Sequence, residues 1–445
     1  MRDQSTTLAV ILAAGHGTRM RSRTPKVLHP LGGQPMVDYV IESCREAGVD
    51  EVVVVISPHH EQVRQHLERR CEVVLQPQVR GTGDAVAQVP AERLRSTSRV
   101  LVLNGDMPLV QAETIQRVLD AHQAAGAAGT LASVDDSTRP DGRVIRSQDG
   151  SFARIVEHRD ATAIEQATTE INVGIYCFAG PALVEALAQL NTNNAQSEYY
   201  LTDVFRTLRP VEVVELADVR EGLGINDRVQ LARAEAVLRE RTLHRLMLSG
   251  VTVIDPTTTY VEPEVEIGQD TVLEPLTILR GRTVIGEGCH LGPEAEIIDS
   301  VLGERVRVSH SWIKEAQLAS DSDCGPFSKL RPGTEIARGV HVGSFAELVR
   351  TRIGEGSKVP HVSYLGDATV GERVNIAAGT ITANYDGEHK HPTVIEDEVF
   401  LGVDSMLVAP IRIGRGARTG AGSVVTKDLP PGVMAVGAPA RVIRR

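Results

Sequence analysis

Two groups of residues in this chain have the types and spacing to do chemistry. The first begins at residues 12–26, LAAGHGTRMRSRTPK, where an apolar run meets the turn Gly15-His16-Gly17 and then Arg19, Arg21, Arg23 and Lys26. No Asp or Glu lies between positions 4 and 37, so positive charge is concentrated here. Glycine turns let backbone N–H groups approach phosphate oxygens, and the cations offset the phosphate charge; the expected guest is an anion. The turn is not a Walker A loop, because no Gly-Lys-Ser/Thr follows, and Met20 stands where a dinucleotide fingerprint needs its third glycine. Residues 76–85, QPQVRGTGDA, make a second glycine turn, and residues 103–108, LNGDMP, put Asp106 just past an apolar run. Beside a polyphosphate, a carboxylate there supplies the hard oxygen that Mg²⁺ needs.

The second group lies in the far half. Residues 359–367, VPHVSYLGD, contain His361, whose ordinary pKa of about 6.5 suits a general base. Polar clusters flank it: LRPG at 330–333, NIAAGT at 375–380 and ANYDGEHK at 383–390.

These residues need elements to hold them. Up to Asn226, short apolar runs alternate with longer mixed segments, which predicts strands at 8–14, 51–56, 73–75, 99–103 and 130–134, and helices at 36–47, 60–68 and 111–124. Continuous rather than alternating apolar runs indicate strands covered on both faces, as in a mainly parallel sheet, whose ligands sit beyond the carboxyl ends of the strands. All three loops of the first group follow such runs. Residues 226–249 open with the capping residues Asn226 and Asp227 and stop at Gly250, predicting a long helix with Val229, Ala232, Ala236, Leu243 and Met247 as its buried stripe.

Beyond Gly250, Ile267, Leu273, Leu279, Ile285, Leu291 and Ile297 recur every six residues. The phase slips at Leu302 and the series resumes in stretches through Val308, Ile336, Leu348, Val359, Ile376 and Leu401 to Val425, with Thr419 in a repeat position. A hexapeptide period means one short strand per repeat, each aliphatic side chain pointing into a narrow solenoid core. The repeat breaks after Thr382, and interruptions of a solenoid are where binding groups are mounted.

A length of 445 residues suits two domains, taken as 1–226 and 251–445 around a linker helix at 227–250. With 47 Lys and Arg against 58 Asp and Glu, the net charge of −11 disfavours nucleic acid or an anionic membrane as partner. Five scattered cysteines without a C-x-x-C pair argue against zinc or a disulfide framework and for a reducing, cytoplasmic setting. Residues 8–14 read as a buried strand rather than a signal sequence, and no apolar run reaches the roughly 20 residues of a membrane span.

The string L-A-A-G-x-G-T-R-M with Pro25-Lys26, Gln76, Gly81-Thr82, Asn104-Gly105-Asp106, Gly142, residues 155–158 (IVEH), Glu170-Ile171-Asn172 and Gly224-Ile225-Asn226 resembles the sugar-1-phosphate nucleotidyltransferases, in particular the uridylyltransferase domain of the bifunctional bacterial enzymes that make UDP-N-acetylglucosamine. The resemblance implies a Rossmann-like α/β domain. It implies that Leu12, Ala13, Ala14, Gly15, Gln76, Gly81 and Thr82 hold UTP, with Asn104 and Gly105 in the substrate site. Gly142, Glu157 and Asn172 would hold the N-acetylglucosamine moiety, Asp106 and Asn226 would bind Mg²⁺, and Arg19 and Lys26 would serve catalysis at the triphosphate and the transferring phosphoryl group. Arg21 and Arg23 are read as solvated steering charges.

The second half resembles the acetyltransferase domain of the same family, a left-handed parallel β-helix that associates as a homotrimer. His361 would then be the general base for acetyl transfer from acetyl-CoA to glucosamine-1-phosphate. Arg331, Tyr364, Asn375 and Lys390 would hold the sugar phosphate, Asn384 and Tyr385 would lie near the reacting centre, and Ala378 and Ala421 would contact acetyl-CoA. The direct route needs no covalent intermediate, so Cys324 is read as structural.

Three positions depart from the family pattern: Val349 replaces a lysine, Val403 a serine, and Ala438 stands near an expected arginine. Strand alternation predicts that Arg350 points away from the lysine's direction, and Arg441, Arg444 or Arg445 is the substitute for the missing arginine. A second reading keeps the uridylyltransferase and makes the solenoid a trimerisation or regulatory scaffold. A third, a regulator without chemistry, would require loss of Arg19, Lys26, Asp106 or Asn226, all of which are present.

Overall fold

A computed structural model describes residues 6–444, the side chain of Arg444 excepted; Arg445 lies outside the described residues. The chain divides into two compact units, Met1–Leu238 and Arg239–Arg445.

The first unit is built on one sheet. Seven of its nine strands run in the order Val211–Glu215, Gly129–Asp135, Glu170–Ala179, Arg99–Asn104, Thr7–Ala13, Glu51–Ile56, Glu72–Leu75, and the pair Arg143–Arg146 and Phe152–Val156 lies off this path. Along that order neighbours are parallel except Glu170–Ala179, which runs antiparallel to both strands beside it, and the off-path pair is antiparallel too. The central strands are buried throughout because helices Met36–Glu46 and Ala112–Ala125 cover one face while Thr82–Ala87 and Gly180–Leu187 cover the other. The five expected strands and three expected helices all form, with ends shifted by a residue or so. Strand Glu170–Ala179 was not expected; its antiparallel course brings its first residues to the edge where the parallel strands end. Its register shifts between Asn172 and Tyr176, which bends the backbone at the edge of the cleft described below.

The helix Arg228–Leu248 forms, and the Asp227 carboxylate accepts from Gln230 N–H at 2.9 Å, an N-cap. Its buried stripe differs from the expected one. Val229 is 61% exposed and Met247 40%, and of the five residues expected inside only Leu243 is buried. The stripe runs instead through Leu231, Ala234, Leu238, Thr242 and Leu246, all buried or half-buried and three or four residues apart. Apolar residues at a helical period were legible, but the face that packs is one step round the helix.

The second unit is a left-handed β-helix. Among the described residues, three sheets of 12, 10 and 9 strands form its faces, parallel except for the last strand of the first, and stacked side chains form columns. One column runs Leu273, Leu291, Val308, Cys324, Val342, Val359. Another runs Ile267, Ile285, Leu302, Leu318, Ile336, Ile353, Val370, Ile395, Ile413. Each such aliphatic residue, once buried, contributes on the order of 1.5–3 kcal/mol. The repeat is more complete than its sequence trace, because Ile313, Leu318, Cys324, Leu330 and Thr382 fill the positions where the periodicity faded.

The phase slips have a local cause. Where successive core residues are five apart, the residue in between sits in the left-handed region two places after the first: Asp299, His310, Glu315, Arg350 and Asp367, with φ from 43° to 51°. A five-residue step is a tighter corner, and its corner residue lies on neither strand face. Arg350 and Asp367 are such corners on adjacent coils.

Candidate active sites

In the first unit, the turn after strand Thr7–Ala13 is fixed from both sides. Met20, buried in the short 3-10 helix Thr18–Met20, anchors its far end. Gly17 has φ +59°, and a Cβ on it would lie 2.6 Å from the Lys26 Cβ. Only glycine therefore lets the Lys26 stem pack across the turn. That packing aims the Lys26 ammonium at the Asp106 carboxylate, which it pairs with, and at Asn226 Oδ1, 3.1 Å away. Asp106 follows strand Arg99–Asn104 through Gly105, whose N–H donates to the Leu12 carbonyl at 2.9 Å. Asn226 is held by Ile225, whose N–H donates to the Asp106 carbonyl at 2.9 Å, and by its own N–H donating to Gln230 Oε1 at 2.7 Å.

Leu12, Thr82, Asn104, Asp106, Gly142, Glu157, Asn172 and Asn226 line one cleft of about 300 Å³. Eight residues spread over more than 200 positions thus meet at the carboxyl edge of the sheet. Asn172 is held by its N–H to the Gly142 carbonyl, 2.8 Å, and its Nδ2 donates to the Tyr176 hydroxyl at 2.6 Å. Glu157 accepts from the Thr202 hydroxyl at 2.8 Å. Burial pushes the Glu157 pKa up, reinforced by the nearby carboxylates of Asp141, Asp203 and Asp160, while the Thr202 bond opposes the shift. Gln76 is buried beside the cleft; its Nε2 donates to the Gly81 carbonyl at 3.1 Å and to Asp84 Oδ2 at 2.8 Å, leaving its carbonyl oxygen as an acceptor. Ala13 and Ala14 are buried and Gly15 is exposed.

Arg19 lines an adjoining cleft of about 570 Å³ together with Asn226, Glu157, Arg139, Arg159 and Arg233. Arg21 and Arg23 are exposed and line neither cleft. Sequence reasoning missed Tyr176, Thr202, Arg139 and Asp141. Tyr176 is four residues from Asn172, but nothing along the chain links Thr202 to Glu157, 45 positions away.

In the second unit, His361 ends the strand Lys358–His361, exposed and in register with Ser344, while Tyr364 opens the strand on the next face. The two residues flank one corner of the helix. Asn375 is on the same face as His361, one coil on, and Ala378 lies at the corresponding corner, its carbonyl accepting from Asp404 N–H at 2.8 Å. Asp367 is the hub of the adjacent face. Its carboxylate takes both Arg350 Nε, 2.5 Å, and Nη2, 2.9 Å, and accepts from the buried Asn384 Nδ2 at 2.5 Å. The Arg350 guanidinium, with help from Asn384 and Lys390 and against burial, holds the Asp367 carboxyl below the usual carboxylate range. A Cβ on Gly366 would meet Asn384 Nδ2 at 2.6 Å and the Tyr364 hydroxyl at 2.7 Å, so these two groups converge over it. Lys390 returns beside Tyr385 through an antiparallel bridge across the excursion. Arg331 pairs with Glu347 at 3.0 Å, one coil before Tyr364.

The expectation that Arg350 turns away from this face does not hold. Alternation applies within strands, and the strand Glu347–Val349 has ended; at the tight corner Arg350 reaches the Asp367–Asn384 pair. Val349 is buried, and Val403 is 46% exposed. Ala421 is exposed, and Arg441 stands exposed in the strand Arg441–Arg444, antiparallel to Met434–Val436. Cys324 is a column residue whose thiol is pushed up to about 12 by burial, an inert form rather than a nucleophile.

Among the described residues, no group of three or more His, Cys, Asp and Glu is placed to hold a metal ion, and no helix is long and apolar enough to cross a membrane. A family model described as a MobA-like NTP transferase domain matches residues 9–211, and one described as a hexapeptide repeat of succinyl-transferase matches residues 392–427. The chain is 48% identical over 433 residues to the bifunctional protein GlmU of Heliobacterium modesticaldum, covering 96% of this chain and 94% of that one. It is 45% identical over 434 residues to the protein of the same name from Syntrophomonas wolfei, with 96% of each chain covered, and 46% identical over 432 residues to that of Carboxydothermus hydrogenoformans, again with 96% of each. With such identity running through both the α/β unit and the β-helix, the chain belongs to the family of bifunctional GlmU proteins.

Proposed function

We propose that this protein makes UDP-N-acetylglucosamine in two steps at two separate sites, the β-helix half (251–445) acetylating glucosamine-1-phosphate and the α/β half (1–226) joining the product to UTP, with residues 227–250 as the linking helix. The observation that carries the reading is the 300 Å³ cleft in which Asp106, Asn226, Asn172, Glu157 and Gly142 meet beside the Lys26 ammonium.

In the first step the 2-amine of glucosamine-1-phosphate attacks the thioester carbon of acetyl-CoA. The C–S bond breaks, and His361 takes the amine proton and passes it to the departing sulfur, so that coenzyme A leaves as its thiol. Asn384, fixed by Asp367 and Arg350, presents its amide beside the Tyr364 hydroxyl near the reacting centre. Arg331, Tyr364, Asn375 and Lys390 hold the sugar phosphate, and Ala378 and Ala421 meet the coenzyme through their backbones.

In the second step a phosphate oxygen of N-acetylglucosamine-1-phosphate, already an anion, attacks the α-phosphorus of UTP and pyrophosphate leaves. No protein nucleophile is needed, so the chain's work is positioning and charge stabilisation. Leu12 to Gly15, Gln76, Gly81 and Thr82 hold the nucleotide, the Gln76 carbonyl oxygen being the acceptor left for the base. Glu157, Asn172 and Gly142 hold the sugar, and Lys26 and Arg19 meet the phosphates. Asp106 and Asn226 turn two hard oxygens toward one point, where a cation, the Lys26 ammonium, sits between them. That donor set suits Mg²⁺, which takes few protein ligands and completes its octahedron with phosphates and waters. Bound there, Mg²⁺ would offset the charge that builds on the triphosphate.

The protein works in the cytoplasm and associates as a homotrimer through the solenoid. The decisive assay is thiol release from acetyl-CoA with glucosamine-1-phosphate. Wild type should release thiol and His361→Ala should lose nearly all of that activity; no release by wild type would reduce the solenoid to a scaffold.

A further inference from the structure

Arg139 has no part in the assignments above, yet it lines both clefts of the α/β unit. Two of its three nitrogens are committed. Nε donates to Asp141 Oδ2 at 2.7 Å, and Nη2 pairs with the same oxygen at 2.6 Å and donates to the Gly222 carbonyl, also at 2.6 Å. Nη1 is buried and has no hydrogen-bond partner. A buried N–H donor without an acceptor costs roughly 1–3 kcal/mol, more for a charged group. A ligand that supplies the missing acceptor would recover that cost. The side chain is only 17% exposed, and its guanidinium plane is set by Asp141 and Gly222 before any ligand arrives.

The surroundings narrow the ligand. Beside Arg139 in the smaller cleft stand Gly142, Glu157 and Asn172, a lining of donors and acceptors suited to a sugar. Asn226 and Asp106, at the phosphate end, complete it. We propose that Arg139 is a substrate-binding residue for the sugar phosphate, its Nη1–H donating to an oxygen of that substrate. Asp141 is then a positioning residue that holds the guanidinium fork and offsets its charge. The proposal rests on the placing of N-acetylglucosamine-1-phosphate in this cleft.

The test is steady-state kinetics of pyrophosphate release by the full-length protein, varying UTP and the sugar phosphate separately, for Arg139→Met and Arg139→Gln. Gln retains a donor for the Gly222 carbonyl if Met loosens the loop. Loss of one charge-assisted hydrogen bond should raise the KM for N-acetylglucosamine-1-phosphate about 10- to 100-fold, with the KM for UTP within about twofold. Glucose-1-phosphate separates the two kinds of oxygen. If Nη1 meets the acetamido carbonyl, the variants lose discrimination against this analogue. If it meets the phosphate, both substrates weaken alike. Unchanged KM values, or a parallel rise in both together with a lowered unfolding temperature, would overturn the proposal and leave Arg139 a loop brace. Asn172→Ala run alongside separates the two levels of inference: if it raises the sugar phosphate KM while the Arg139 variants do not, only the Arg139 role falls, and if neither does, the cleft assignment falls with it.

Discussion

Replacing Gly17 by alanine tests whether the nucleotide turn is built to place Lys26. An alanine at φ +59° carries the left-handed cost of about 1–2 kcal/mol. Its Cβ would also stand 2.6 Å from the Lys26 Cβ, against an ordinary contact of 3.4–4 Å. Relief requires Lys26 and the turn to part by roughly 1 Å, and a displacement of that size in a positioning group costs on the order of 100-fold in rate. Gly17→Ala should therefore lower kcat/KM for pyrophosphate release about 100-fold. Thiol release by the β-helix half should be unchanged, an internal control on folding. Gly126→Ala separates strain from collision, because Gly126 has φ +53° with nothing within 4 Å of its added Cβ. It should cost about the same 1–2 kcal/mol of stability and leave pyrophosphate release intact. If Gly17→Ala keeps its rate within about threefold, or if Gly126→Ala loses as much, the turn does not act through Lys26.

Three further outcomes follow from the geometry. Asp367→Asn removes the anchor of Arg350 and frees the Asn384 amide; thiol release should fall about 10- to 100-fold with pyrophosphate release unchanged, and an unaffected rate would remove Arg350 and Asp367 from the acetylation site. Glu157→Gln should stabilise the α/β unit while weakening sugar phosphate binding. Because burial raises the Glu157 pKa, its native carboxyl contributes fully below the ordinary carboxylate range and loses that contribution as pH rises through the folded-state value. Denaturant unfolding should thus show the variant's advantage growing with pH and levelling off towards neutrality; an advantage that shrinks with pH would contradict the burial argument. On the linking helix, Leu246→Ala should cost roughly 2–5 kcal/mol and Val229→Ser less than about 0.5 kcal/mol in the same measurement, the reverse order marking the wrong face as buried.

What was legible in the chain was whatever repeats or whatever glycine and charge concentrate locally. The parallel strands announced themselves as unbroken apolar runs, and the hexapeptide period marked one short strand with one inward aliphatic side chain per repeat. Short-range patterns could not show what the fold joins across distance. Strand Glu170–Ala179 hides its pattern behind Gly174 and a register shift, although it delivers Asn172 and Tyr176 to the cleft. Arg139 depends on a carbonyl 83 residues away, and Thr202 on a carboxylate from another loop. Arg350 was misread for a different reason: the two-residue alternation of a strand was carried one residue past its end, into a corner with φ +47°. The helix stripe failed because several aliphatic residues share the helical period and only packing selects among the faces.

The central claim is that one chain carries two complete and separate reaction centres. Its most direct test mixes two full-length variants, Asp106→Ala and His361→Ala, and supplies glucosamine-1-phosphate, acetyl-CoA, UTP and Mg²⁺. Neither variant alone should form UDP-N-acetylglucosamine. The mixture should form it, because the acetylated sugar phosphate made by the first diffuses to the second. Product from Asp106→Ala alone, or none from the mixture when each variant retains its own partial reaction, would contradict the account.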